Sequence, residues 1–262
     1  MKNLDKRYLE ILLNKPELIV DFPEWMLPST TIEEIMGIEN FAIAEIAGRD
    51  SIAAVISAYE MRTLEGILPT IAYTGTEYGN WDLPFEGIYI LKEKIGHKVK
   101  IYSPIILGSP RFWWTLCGRY SVHFFKKFGF YSQCIGCHLY FHVIRVPLSK
   151  KLKCKLIIGG ERESHNGRIK INQIKTAIDA YTDFLKRFEI ELFLPLRNIK
   201  SGERVESIIG QRWNEGEQQL NCVLNKNYQE MNGSVSIDTM AIQRFFDEFA
   251  FEAAEKFIRS YI

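Results

Sequence analysis

Phe41-Ala42-Ile43-Ala44-Glu45-Ile46-Ala47-Gly48-Arg49-Asp50-Ser51, with the small-residue stretch 52–64 behind it, decides the fold. Residues 41–46 form a short apolar run, Gly48 permits a tight turn, and the apolar positions after Ser51 recur at helical spacing, so the stretch reads strand, turn, helix. The alternation continues outward. Residues 69–73 predict a strand, 85–95 a helix and 97–102 another strand. Helical spacing resumes over 111–128 and near 139–151, a buried strand is expected at 154–158, and a helix and a strand follow at 174–188 and 191–194. An amphipathic helix closes the chain over 240–262. Strands alternating with helices call for right-handed crossovers and an α/β fold: a parallel twisted sheet with helices on both faces. Residues 1–36 read as an N-terminal helical appendage broken by Pro23 and Pro28, 37–200 as the α/β domain, and 201–262 as a C-terminal helical segment.

The composition excludes several classes. A chain of 262 residues, 47% hydrophobic and 25% charged, can bury a sizeable core, which rules out a disordered, collagen-like or miniature disulfide-stapled protein. Thirty-three Lys and Arg against 32 Asp and Glu leave a net charge of +1, so no global field draws the chain to nucleic acid or membrane. No apolar run is long enough to span a bilayer, and the opening MKNLDKRYLEILLNKPE lacks the form of a secretory signal. Five cysteines without such a signal suggest a reducing cytoplasm, where paired cysteines point to metal or redox chemistry. From Arg145 to Lys175, nine basic residues face two acidic ones, a local excess that suits a phosphate-rich partner, either a nucleotide or the backbone of a tRNA. A solvated helix face is the ordinary alternative.

Individual segments carry chemistry of different specificity. A turn leading from a strand into a helix at 47–51 aims backbone N–H groups and the positive helix end at an anion, although a glycine turn with an Asp or Ser cap has the same appearance. It has neither the GxGxxG nor the GxxxxGK[ST] spacing. Tyr73-Thr74-Gly75-Thr76-Glu77-Tyr78 sets a glycine and a carboxylate just past a strand. The polar loop Gly160-Glu161-Arg162-Glu163-Ser164-His165-Asn166-Gly167-Arg168 follows another strand, the position where open α/β sheets bind ligands, and His165 is a candidate substrate contact there. Cys134 and Cys137 have metal-ligand spacing and Cys222 is a third thiol in polar surroundings; Cys117 and Cys154 read as core. His138 and His142 share a helix face and read as packing or surface residues. Arg111-Phe112-Trp113-Trp114 could stack bases, though aromatics at a helix start are more often core.

Taken in order, four segments resemble the PP-loop ATP pyrophosphatase superfamily, and within it the branch with the phosphoadenylylsulfate reductases. IAGRDSIAA is similar to the SGGxDS phosphate loop, YTGTEYGN to the DTGxExP strand end, CIGCHLYFHVIRVPLSKKL to the paired-cysteine segment, and GGERESHNGR to the GxRxxxSxxR loop. The resemblance spans about residues 40–200 and implies an adenine nucleotide alpha hydrolase-like domain over 37–200. It departs at Ile46 and Ala47, where the loop has Ser-Gly, at Tyr73, where the branch has Asp, and at the absent C-terminal Cys-Gly-Leu-His, which disfavours sulfonucleotide reduction. The resemblance implies ATP with Mg²⁺ bound by Ala47, Gly48, Arg49, Asp50, Ser51, Thr74, Gly75, Glu77, Gly160, Arg162 and Arg168, with Asp50 and Ser51 at the chemistry. ATP would activate a substrate carbonyl by adenylylation, and sulfur or another nucleophile would displace AMP. Analogy with PP-loop RNA-thiolating enzymes implies a 4Fe-4S cluster on Cys134, Cys137 and Cys222, with one open iron. Zinc on the same cysteines, a sulfonucleotide reductase, and a nucleotide-binding module without turnover are the alternatives. The oligomeric state stays open.

Overall fold

The structure, a computed structural model, describes residues 27–131, 133–214 and 216–262, so the expected helices of residues 1–26 lie outside the described part. The chain opens on helix α1 (Ser29–Met36), then strand β1 (Phe41–Ile46), α2 (Arg49–Met61) and β2 (Gly66–Tyr73). The short strand β3 (Glu77–Tyr78), α3 (Leu83–Ile95), β4 (Lys100–Ile101) and β5 (Ile105–Gly108) follow. Next come α4 (Pro110–Trp113), a π-turn over Trp114–Gly118, α5 (Ser121–Phe128), α6 (Gln133–Val143) and α7 (Val146–Lys151). The second half holds β6 (Leu156–Ile158), α8 (Lys175–Lys186), β7 (Glu191–Phe193), α9 (Gly202–Ile209), β8 (Asn221–Cys222), α10 (Thr239–Phe245) and, after a second π-turn, α11 (Phe251–Arg259).

The main sheet runs β4-β2-β1-β6-β7 and every pairing in it is parallel. β5 also pairs with β2, through Thr70 to Tyr73, so β4 and β5 together form one interrupted edge strand. All six residues of β1 are buried, as expected of a strand covered on both faces. The order reverses between β1 and β6, which opens a crevice at their carboxyl ends, as in Rossmann-like nucleotide-binding domains.

Three local departures from the sequence reading matter. The edge strand breaks around Pro104 and resumes at Ile105, so part of it was missed. The helix expected over 111–128 is cut by the π-turn, which turns Cys117 inward. The paired cysteines lie inside the first turns of α6 rather than ahead of a helix. Residues near both ends of the described chain join one core with the sheet, Leu27 and Ile35 at one side and Ile242, Phe245 and Ile258 at the other. Phe112 stacks on Phe257 with centroids 4.2 Å apart, and Phe124 meets Phe245 edge-on at 5.4 Å, which docks the C-terminal helices against α4 and α5.

Candidate functional site

The crevice is built by two chain turns that approach backbone to backbone. A Cβ on Gly160, just past β6, would sit 2.7 Å from the Ser51 nitrogen, so only glycine lets the β6 turn lie against the first turn of α2. Ser51 closes that turn: its Oγ donates to the Gly48 carbonyl at 2.7 Å and accepts from the N–H groups of Ala47 at 2.9 Å and Gly48 at 3.1 Å. The hydroxyl is thus held by its own loop. Gly48 is extended, so its lack of a side chain serves another purpose: a Cβ there would lie 2.4 Å from Gln219 Oε1. That oxygen accepts from the Arg49 N–H at 3.3 Å, which brings the 216–225 segment to the loop.

Charge in the crevice is paired. Arg162 Nε donates to Asp50 Oδ2 at 2.8 Å, and Arg49 Nε to Asp50 Oδ1 at 3.0 Å. Burial works against the Asp50 charge, yet the two guanidiniums outweigh it and hold the carboxyl below its usual range. His165 is buried, with Nε2 2.9 Å from the Arg162 carbonyl; burial and the charges of Lys170 and Arg162 hold its pKa down to about 4. It is therefore neutral at pH 7. Arg168 is exposed at the far end of the loop. Past β2, Glu77 accepts from the Thr74 N–H at 3.2 Å and from Thr74 Oγ1 at 2.6 Å, so Thr74, Gly75 and Glu77 form a self-bonded turn with Gly75 at φ 80°.

A buried polar chain lies behind the crevice, and sequence reasoning missed it. His142 Nδ1 is 2.7 Å from Glu45 Oε1, and its Nε2 is 3.6 Å from Glu161 Oε1, which is itself 2.6 Å from His138 Nδ1. Gln173 donates to Glu161, and Asn172 Nδ2 lies 2.7 Å from His138 Nε2. Arg145 joins through Glu45 at 3.5 Å and Thr70 Oγ1 at 2.7 Å. Burial opposes ionisation of Glu161, but His138 and His142 prevail and bring its pKa to about 2; His142 and Arg145 likewise overcome burial to lower that of Glu45. The i, i+4 spacing of the two histidines was the available signal; their carboxylate partners come from β1 and from the loop after β6.

The basic segment is divided between core and surface. Arg145 and Arg162 are buried and paired, Lys175 pairs with Asp179 at 2.5 Å, and Lys153, Lys155 and Arg168 remain on the surface. The aromatic cluster splits as well: Phe112 is core, Trp113 Nε1 donates to Cys137 Sγ at 3.3 Å, and Trp114 is exposed.

Two of the cysteines, Cys134 and Cys137, lie on α6 and a third, Cys222, on β8. β8 pairs antiparallel with β3, setting Cys222 opposite Glu77, with its Sγ 3.4 Å from Thr76 Oγ1. Leu224 ties two thiols together: its N–H donates to Cys222 Sγ at 3.4 Å, while Cys134 Sγ donates to its carbonyl at 3.8 Å. Cys134 and Cys137 share a helix face. Cys154 stands apart, bonded to the carbonyls of Phe41 and Leu156. Among the described residues, no three His, Cys, Asp or Glu side chains are gathered closely enough to hold a single metal ion. No helix of the described chain is long and apolar enough to cross a membrane.

No family model matches the chain. It is 40% identical over 225 residues to the uncharacterized protein MJ0009 of Methanocaldococcus jannaschii, an alignment that covers 85% of this chain and 81% of that one. With that identity spread over most of both proteins, the chain belongs to the family of this Methanocaldococcus protein.

Proposed function

We propose that the protein is an ATP-dependent adenylylating enzyme of the PP-loop type that activates a substrate carbonyl for sulfur transfer, with a tRNA base as the substrate class. One observation carries the reading: the glycine-bearing turn 47–51 sits at the strand-order reversal between β1 and β6, with Arg162 from the β6 loop reaching across it. In this reading the turn's N–H groups and Arg49 and Arg162 hold the phosphates, and Asp50 fixes both guanidiniums and would hold the Mg²⁺ that offsets phosphate charge. The substrate oxygen attacks the α-phosphorus, pyrophosphate leaves, and a sulfur nucleophile then displaces AMP. Charge developing on the leaving pyrophosphate is what the two arginines would stabilise.

The donor set at the cysteines is thiol-rich and lies in largely apolar surroundings, which suits iron-sulfur chemistry. Zinc on the same cysteines is the competing metal. Cys134, Cys137 and Cys222 would hold the cluster, and it would supply redox or sulfur chemistry beside the crevice.

The second reading, a nucleotide-binding module without turnover, is favoured by the engagement of Ser51 Oγ and Asp50 with protein partners. Pyrophosphate release from ATP, measured with and without unfractionated tRNA, separates the two. Release that needs tRNA and falls at least tenfold in Asp50→Asn supports the enzyme; ATP binding with no release under either condition overturns it.

A further inference from the structure

We propose that Cys117 is the fourth thiol of the cysteine site, so that Cys117, Cys134, Cys137 and Cys222 hold one iron-sulfur cluster through four thiolates. The inference rests on the cluster reading above and deepens it.

Three parts of the chain, each built differently, bring these thiols together. The π-turn Trp114–Gly118 carries Cys117, and such turns concentrate at functional sites because the inserted residue redirects a side chain. The glycine between the paired cysteines accommodates it: a Cβ on Gly136 would stand 3.2 Å from Cys117 Sγ and 3.0 Å from the Leu116 carbonyl. Gly136 lies in a helix, where glycine costs about 1 kcal/mol against alanine, so its presence against Cys117 has a steric reason. The thiols of Cys117 and Cys137 interact side chain to side chain, and Trp113, immediately ahead of the π-turn, donates to Cys137. On the other side, the Leu224 peptide holds Cys134 and Cys222 through its two ends. Each thiol is therefore linked to another of the set, and Cys154 to none of them.

A three-thiolate cluster leaves one iron open to an outside sulfur, whereas a four-thiolate cluster leaves none. With Cys117 in place, the sulfur delivered to substrate comes from a donor other than this cluster's iron.

The test is iron and acid-labile sulfide analysis, with visible spectra, on anaerobically purified protein and on protein reconstituted with ferrous iron and sulfide. Wild type is compared with Cys117→Ser, Cys117→Ala and Cys154→Ser, and the fold of each is checked by thermal unfolding. The expected result is a cluster in wild type and Cys154→Ser, with iron content at least halved and an altered spectrum in both Cys117 variants. A full, unchanged cluster in the Cys117 variants overturns the fourth thiol and leaves a three-thiolate cluster standing. Wild type that takes up neither iron nor sulfide overturns the cluster reading and this inference with it. Should both Cys117 variants fail to fold, peptide-resolved iodoacetamide labelling of wild type in dilute denaturant decides: protection of Cys117 that disappears when iron is stripped supports the assignment, and protection confined to the other three thiols overturns it.

Discussion

The crevice and the neighbouring cysteine pocket treat buried polarity in opposite ways. Around the crevice each buried charge has a partner within the chain: Asp50 with Arg49 and Arg162, Glu45 with His142 and Arg145, Glu161 with His138. In the pocket the polar groups are thiols, and the partners they have are neutral: an indole N–H, a hydroxyl, the Leu224 peptide and one another. A set of compensated ions is stable as it stands and costs most when one member is removed; a set of thiols can still take a cation by giving up its protons. The difference teaches where the chain relies on itself and where it waits for a partner.

The sharpest way to break the contrast is to remove one ion. Glu161→Ala leaves His138 and His142 facing a gap in a buried site, with an expected loss of about 3–5 kcal/mol in urea unfolding; a loss under about 1 kcal/mol would mean that the polar chain is not compensated as described. Acid probes the same network. Glu161 titrates at about 2 in the fold against 4.5 unperturbed, so its contribution is whole above pH 4.5 and fades as the pH falls toward 2, up to about 3 kcal/mol in all. His165, held near 4 against 6.5, contributes with the same sign, losing stability as the pH drops below 6.5. Unfolding followed from pH 7 to 3 should therefore show a monotonic fall and no gain at the acid end.

The pocket is tested by reactivity. In metal-free protein at pH 8, Cys134 should react with iodoacetamide roughly 50-fold slower than a model thiol, because a ~10³-fold drop in thiolate is partly offset by greater nucleophilicity. Fast labelling, read by peptide mass, would place a positive group beside it and erase the contrast. The smallest effect belongs to the surface. Arg62 pairs with Glu191 at 2.5 Å in the open, and Arg62→Ala should cost less than about 1 kcal/mol.

Much of the fold was legible because it rests on local pattern: the apolar run before Gly48 and the helical spacing after it set β1, the turn and α2, and the later alternation set the parallel sheet. The π-turn was not legible, since one inserted residue shifts the helical phase without leaving a compositional mark, and Cys117 consequently read as plain core. Nor were the carboxylate partners of His138 and His142. Glu45 lies 97 residues from His142, and only the strand order brings them together. Gln219 belongs with these: it bonds Arg49 from 170 residues away, through a segment with no regular period of its own.

That glutamine changes what binding at the turn means. Its amide oxygen already occupies the N–H that an anion would seek, so the resting crevice is not a vacant socket but a satisfied one. An arriving phosphate carries out an exchange, neutral acceptor for charged one, and its measured affinity is the difference between two occupants. Because the displaced occupant is tethered to the chain, its competing concentration is fixed by covalent geometry and cannot be diluted away.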